Sequence, residues 1–165
     1  MDSIVKISGI IDESIVDGDG IRFVIFTQGC PHHCIGCHNP ATHDFSAGKQ
    51  VKILDLFNEI KENPLLSGVT FSGGEPFCQP APLVKLAKKI HQTGLNITTY
   101  TGYTLEELQS MNLPDIQELL DQTDILIDGK FNLEQRDLTL KFRGSSNQRV
   151  IDMNATRQTG QVVCL

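Results

Sequence analysis

The chain has 165 residues, 39% of them hydrophobic and 21% charged, with a formal net charge of -6. That size suits one domain over residues 1–165. The acidic balance speaks against nucleic acid as a partner, and no stretch approaches the roughly 20 apolar residues of a membrane helix.

The first residues, Met1-Asp2-Ser3-Ile4-Val5-Lys6, lack the basic-then-apolar design of a secretory leader, so the expected location is cytoplasmic. Arg22–Thr27 is β-branched and aromatic and predicts a strand. The segment 28–48 is rich in cysteine, histidine and glycine, and a loop of that length tends to carry function. Val51 to Asn63 sets Ile53, Leu54, Leu56, Phe57 and Ile60 at helical spacing, and Pro64 stops the run. Gly68–Phe71 predicts a strand. Pro82 to Thr93 predicts a helix with Leu83, Leu86, Ala87 and Ile90 on one face and Gly94 at its end. Asn96–Tyr100 predicts a third strand, and Thr104-Leu105-Glu106-Glu107 has the form of a capping box. Ile116 to Leu120 predicts a short helix, Asp124–Asp128 a strand, and Gln148–Asp152 a further strand. Strands alternating with helices imply parallel pairing through right-handed crossovers. A complete eight-fold barrel takes about 250 residues, and this chain supplies roughly half to two-thirds of that. The expected fold is α/β, an open partial (β/α) barrel with mostly parallel strands.

Five cysteines are present, and Cys30, Cys34 and Cys37 fall within one short run, Cys30-Pro31-His32-His33-Cys34-Ile35-Gly36-Cys37. An odd, clustered set is not the pattern of a secreted disulfide framework. Thiolates are soft ligands for iron–sulfur clusters, zinc or copper. Structural zinc and cysteine-only clusters both want four protein ligands. Three cysteines holding a cluster leave one iron open to a small molecule. A zinc site completed by His32, His33, His38 or His43 is the competing reading. Ser72-Gly73-Gly74-Glu75-Pro76 follows the second predicted strand, where paired glycines allow a ligand close to the backbone. Asp128-Gly129-Lys130 ends the fourth, either as an exposed turn or as a polar wall. The cysteine loop, the Gly73–Gly74 turn, Thr99–Gly102 and Asp128 all lie at C-terminal ends of predicted strands, where parallel α/β folds place their sites. Cys78 and Cys164 are expected to be a packing residue and a tail residue.

The Cys-x3-Cys-x2-Cys spacing after the first predicted strand resembles the radical S-adenosylmethionine (SAM) superfamily. The resemblance implies a [4Fe–4S] cluster on Cys30, Cys34 and Cys37, with SAM on its open iron. It implies one-electron cleavage of SAM to methionine and a 5′-deoxyadenosyl radical. Gly36, Cys37 and His38 are expected on the adenine side. Gly73 and Gly74 are expected at the SAM amino group, with Glu75 as a structural or supporting residue. Asp128 is expected to help fix the SAM carboxylate, directly or through a monovalent cation. Many members carry an aromatic residue before the third cysteine, where this chain has Gly36.

Three further segments resemble the glycyl-radical-activating enzymes. Asp17-Gly18-Asp19-Gly20-Ile21-Arg22 is similar to their Asp-Gly-Pro-Gly-x-Arg stretch, with Asp19 in place of proline. Cys37-His38-Asn39-Pro40-Ala41-Thr42 is similar to their loop. Asp128-Gly129-Lys130-Phe131 followed by Arg143-Gly144-Ser145-Ser146-Asn147-Gln148-Arg149-Val150-Ile151-Asp152 resembles the C-terminal signature of the activators of anaerobic ribonucleoside-triphosphate reductase, which also have Gly before the third cysteine. The resemblance implies that reductase as protein substrate and a one-electron donor such as flavodoxin or ferredoxin. Activation of another glycyl-radical enzyme, such as pyruvate formate-lyase, and a non-catalytic zinc-binding module are the alternatives.

Overall fold

The computed structural model describes residues 3–37 and 39–165. The chain enters on β1 (Ile4–Ser14), which pairs antiparallel with β2 (Arg22–Thr27) on one side and with β3 (Lys49–Lys52) on the other. The helix α1 (Ile53–Glu62) leads to β4 (Gly68–Gly73), α2 (Pro80–Gln92) to β5 (Asn96–Tyr100), and α3 (Leu105–Ser110) with α4 (Pro114–Gln122) to β6 (Ile125–Asp128). β2, β4, β5 and β6 pair parallel in that order. The last strand, β7 (Arg149–Asp152), runs antiparallel to β6 and is followed by α5 (Met153–Thr159). Among the described residues the sheet has seven strands in the order β3-β1-β2-β4-β5-β6-β7. β3 and β7 end it at opposite edges, so it is an open, mixed sheet with a parallel centre. The expectation of mostly parallel strands holds for the centre of the sheet, and β1, β3 and β7 pair antiparallel.

The period-two alternation of a strand sorts the side chains to two faces. Phe23, Ile25, Val69, Phe71, Ile97 and Leu126 join one buried cluster with Ile53, Leu56 and Ile60 of α1, Leu83, Leu86 and Ile90 of α2, and Ile116, Leu119 and Leu120 of α4. α2 packs between α1 and α4. The intervening residues Phe26, Ser72 and Tyr100 face the other way and line a cavity. The capping box at Thr104 is present: Thr104 Oγ1 accepts the Glu107 N–H at 3.1 Å, and Glu107 Oε1 accepts the Thr104 N–H at 3.2 Å.

Three elements differ from the sequence expectation. β1 (Ile4–Ser14) is a strand where the sequence reading predicts no element. β3 occupies the polar run Lys49-Gln50-Val51-Lys52, so the helix expected from Val51 starts at Ile53. The polar run shows no alternation because three of the four residues are exposed on a sheet edge. α5 is short, and Asp152 caps it by accepting the Ala155 N–H at 3.0 Å. No described helix is long and apolar enough to cross a membrane.

Candidate active site

The cysteine loop leaves β2 and is stitched to itself by backbone hydrogen bonds. Gly29 N–H donates to Thr42 O at 2.6 Å and Cys30 N–H to His43 O at 3.2 Å. Gln28, nearly fully buried, donates from Nε2 to Ala41 O at 3.0 Å and to Asp44 O at 2.7 Å. These contacts tie Gln28, Gly29 and Cys30 to residues 41–44, so the two ends of the cysteine loop are held together. Cys30, Cys34 and Cys37 all line one cavity of about 430 Å³. Burial pushes the Cys30 and Cys34 thiols above their ordinary range. Backbone N–H groups work against that burial by donating to sulfur: those of His32 and His33 to Cys30, and that of Phe131 to Cys34. Sulfur atoms that already face N–H donors are suited to carrying the negative charge of ligated thiolate.

The turn after β4 reaches the same cavity through Ser72, Gly73 and Gly74. Gly74 N–H donates to Thr27 O at 3.1 Å, and Glu75 N–H to Gly29 O at 2.8 Å, which ties the turn to the start of the cysteine loop. The wall continues with Tyr100, Thr101 and Gly102 after β5, and with Gly129 and Phe131 after β6. Every lining segment named here follows the C-terminal end of a parallel strand, where such folds gather their ligands.

Gly36 has φ +76, and a Cβ there would lie 3.0 Å from Leu133 Cδ1 and 3.4 Å from Phe131 Cε1. Phe131 and Leu133 therefore take the room that an aromatic residue before the third cysteine would need. His38 lies outside the described residues. Glu75 does not face the cavity: it is fully buried, and its carboxylate accepts from Phe77, Thr101 and Gly102. Asp128 is placed differently from the expectation. It is 1% exposed, and its carboxylate accepts the Leu105 N–H at 2.8 Å, Arg149 Nε–H at 3.0 Å and an Arg149 NH2 proton at 2.5 Å. Three donors from α3 and β7 engage it, and it is the neighbouring Gly129 that lines the cavity. A direct contact from Asp128 to a ligand carboxylate does not fit this arrangement.

In sequence, Asp17, Arg22 and Gln148 are read only inside longer family-like stretches, and none of them has a role of its own. Gln148 accepts the Gly144 and Ser145 N–H groups on Oε1 at 2.9 and 3.1 Å and donates to Gly129 O at 3.0 Å, fixing residues 143–148 against the end of β6. Arg22 explains the Asp-Gly-Asp-Gly-Ile-Arg stretch. Its buried guanidinium donates to Thr70 Oγ1 at 2.8 Å, Val69 O at 2.9 Å and Asp19 O at 3.0 Å, while Thr70 Oγ1–H donates to Asp17 O at 2.7 Å. Asp17, held in this way, also lines the cavity.

Residues 16–151 match the family described as "4Fe-4S single cluster domain". The anaerobic ribonucleoside-triphosphate reductase-activating protein of Haemophilus influenzae is 34% identical over 142 residues, covering 81% of this chain and 89% of that protein. That of Vibrio cholerae is 36% identical over 143 residues with the same coverage. The pyruvate formate-lyase-activating enzyme of Clostridium pasteurianum is 34% identical over 128 residues, but the match spans only 50% of its length. With a cluster-domain match across most of its length and relatives matched nearly end to end, the chain belongs to the single-cluster 4Fe–4S family of anaerobic ribonucleoside-triphosphate reductase-activating proteins.

Proposed function

We propose that this protein is a radical SAM enzyme that generates a glycyl radical on anaerobic ribonucleoside-triphosphate reductase. The observation that carries this reading is the convergence of three thiols from one loop with the Gly73–Gly74 turn on a single cavity. The donor set fits a cluster held at three corners: soft sulfur ligands, and N–H groups already facing two of them. When bound, the cluster and SAM supply a one-electron cleavage to methionine and a 5′-deoxyadenosyl radical, which takes a hydrogen atom from a glycine Cα of the partner.

In this reading the chain's own residues do the positioning. Cys30, Cys34 and Cys37 hold the cluster. The Gly73–Gly74 backbone receives the amino group of SAM, and Gly36 and Cys37 lie toward its adenine. Glu75 stiffens the turn from behind rather than touching SAM. Residues 1–165 act as one radical SAM domain in an open partial (β/α) barrel, whose unclosed side admits a protein segment. A flavodoxin- or ferredoxin-type protein supplies the electron. The nearly complete match to reductase activators, against half the length of a pyruvate formate-lyase activator, supports the reductase as substrate.

The test is anaerobic reconstitution with iron and sulfide, reduction, and addition of SAM, with 5′-deoxyadenosine and methionine followed by chromatography. Both products are expected, and both vanish in Cys34→Ala. Addition of the reductase should then give a glycyl-radical EPR signal. Zinc uptake without sulfide, or product formation by Cys34→Ala, overturns the reading.

A further inference from the structure

Four donors surround the Glu75 carboxylate, which has no solvent exposure. Oε1 accepts the Gly102 N–H at 2.8 Å and lies 2.6 Å from His32 Nε2. Oε2 accepts the Thr101 hydroxyl at 2.9 Å and the Phe77 N–H at 3.2 Å. The Thr101 oxygen accepts the Tyr103 N–H at 3.1 Å, so its own proton is free for Glu75. A carboxylate offers about four lone-pair sites. Three are filled by donors, and the network therefore assigns the proton of His32 to Nε2.

The imidazole has a built place. Its side chain is 5% exposed and meets the Tyr103 ring edge-on at 4.6 Å between centroids. Residue 102 is glycine, and a Cβ there would lie 2.3 Å from His32 Cδ2. The backbone N–H groups of His32 and His33 face the Cys30 sulfur. Glu75 in turn adjoins Gly74 and is tied through its own N–H to Gly29 O, one residue before Cys30. His32 thus joins the far side of the Gly73–Gly74 turn to the donors on one thiol.

We infer that His32 is a positioning residue. Anchored on Glu75, its side chain holds the His32 and His33 N–H groups on the Cys30 sulfur and joins them to the Gly73–Gly74 turn. One strut then sets both the reduction potential of the cluster and the grip on SAM. The inference rests on Cys30 being a cluster ligand, as proposed above. N–H donors on a ligating sulfur favour the more negative, reduced cluster and so raise its potential.

The experiment uses the reconstituted full chain as wild type, His32→Leu and His32→Gln. Iron and sulfide per chain, the midpoint potential from an EPR-monitored redox titration, and the KM for SAM are measured for each. His32→Leu keeps bulk but loses the donor. It should hold wild-type iron, show a lower potential, and raise the SAM KM roughly tenfold, the scale of a hydrogen bond to a charged group. His32→Gln keeps an N–H able to reach Glu75 and should lie close to wild type. Potentials and KM values unmoved in His32→Leu overturn the inference, as does an equal shift in both variants. A wild-type chain that takes up no cluster refutes the proposed function instead, and that result is separate from the others. If both His32 variants fail to load iron, Gly102→Ala decides, because its methyl displaces the His32 ring from Glu75 while the sequence of the cysteine loop is unchanged. A lowered potential there supports the strut, and an unchanged one overturns it.

Discussion

Gly73 and Gly74 sit where no side chain fits. A Cβ on Gly73 would lie 2.3 Å from Thr27 N, and one on Gly74 would lie 2.5 Å from Gly29 O. Gly73 also has φ +114, which side-chain-bearing residues rarely adopt. Both obstacles are backbone atoms of β2 and the loop after it, so they cannot swing aside as a flexible side chain would. Gly74→Ala should destabilise the fold by about 1–3 kcal/mol, the range of overpacking against a rigid neighbour. The urea midpoint reads that cost. SAM affinity should fall as well, because the turn must move away from the loop that carries Cys30; wild-type affinity in a folded Gly74→Ala chain would separate the turn from SAM. These glycines were legible as a ligand-facing turn because their spacing and position after a strand are local features. What surrounds Glu75 was not legible. His32 is 43 residues away in the chain and Thr101 is 26, and only the folded sheet brings them together.

Among the elements, the junction of β5, β6 and α5 is held by one carboxylate. Asp124 accepts the Ile97 N–H at 2.8 Å, faces His91 Nε2 at 3.0 Å, and accepts Asn154 Nδ2–H at 3.1 Å. Burial pushes its carboxyl up, but the Ile97 N–H, His91 and Asn154 together outweigh that and hold it below the ordinary range. A carboxyl lowered in the folded state stabilises the protein above its unfolded pKa of about 3.9, and the benefit is lost as pH falls through the lower folded value. Asp124→Asn should therefore cost about 1 kcal/mol at pH 7, toward the low end because the side chain is partly solvated. The gap to wild type should close below about pH 4. Urea midpoints at pH 7 and pH 3 check this, and an equal gap at both would show that the charge is not the source. At this scale the parallel strands and the helices between them were readable, because each is a compact run with a period of its own. β3 and α5 were hidden for a physical reason. Both are short and mostly exposed, so burial imposes no pattern on their sequences. β1 does carry buried Val5 and Ile7 at alternate positions, a strand signal that stood in plain view.

For the molecule as a whole, the sheet gathers four loop ends on one side and leaves its two edges apart. That arrangement separates the five cysteines into two groups. Cys30, Cys34 and Cys37 line the cavity, while Cys78 and Cys164 are exposed. Cys164 meets Ile151 through a β-bridge, a backbone contact that needs no thiol. The sequence expectation for Cys164 as a tail residue agrees with this placement, whereas Cys78 is a surface residue rather than a packed one. If the cavity is the cluster seat, iron content should follow the first group alone. Cys30→Ala, Cys34→Ala and Cys37→Ala should each lose the cluster and SAM cleavage. Cys78→Ala and Cys164→Ala should keep wild-type iron, sulfide and activity. The apo-proteins serve as controls for folding: trimming the buried Cys30 side chain should cost about 1 kcal/mol, and trimming the exposed pair within about 0.5 kcal/mol of nothing. A cluster that survives loss of one cavity thiol but not of Cys78 would mean that a different set of sulfurs holds it. The loop after β2 would then be a wall of the site and not its centre.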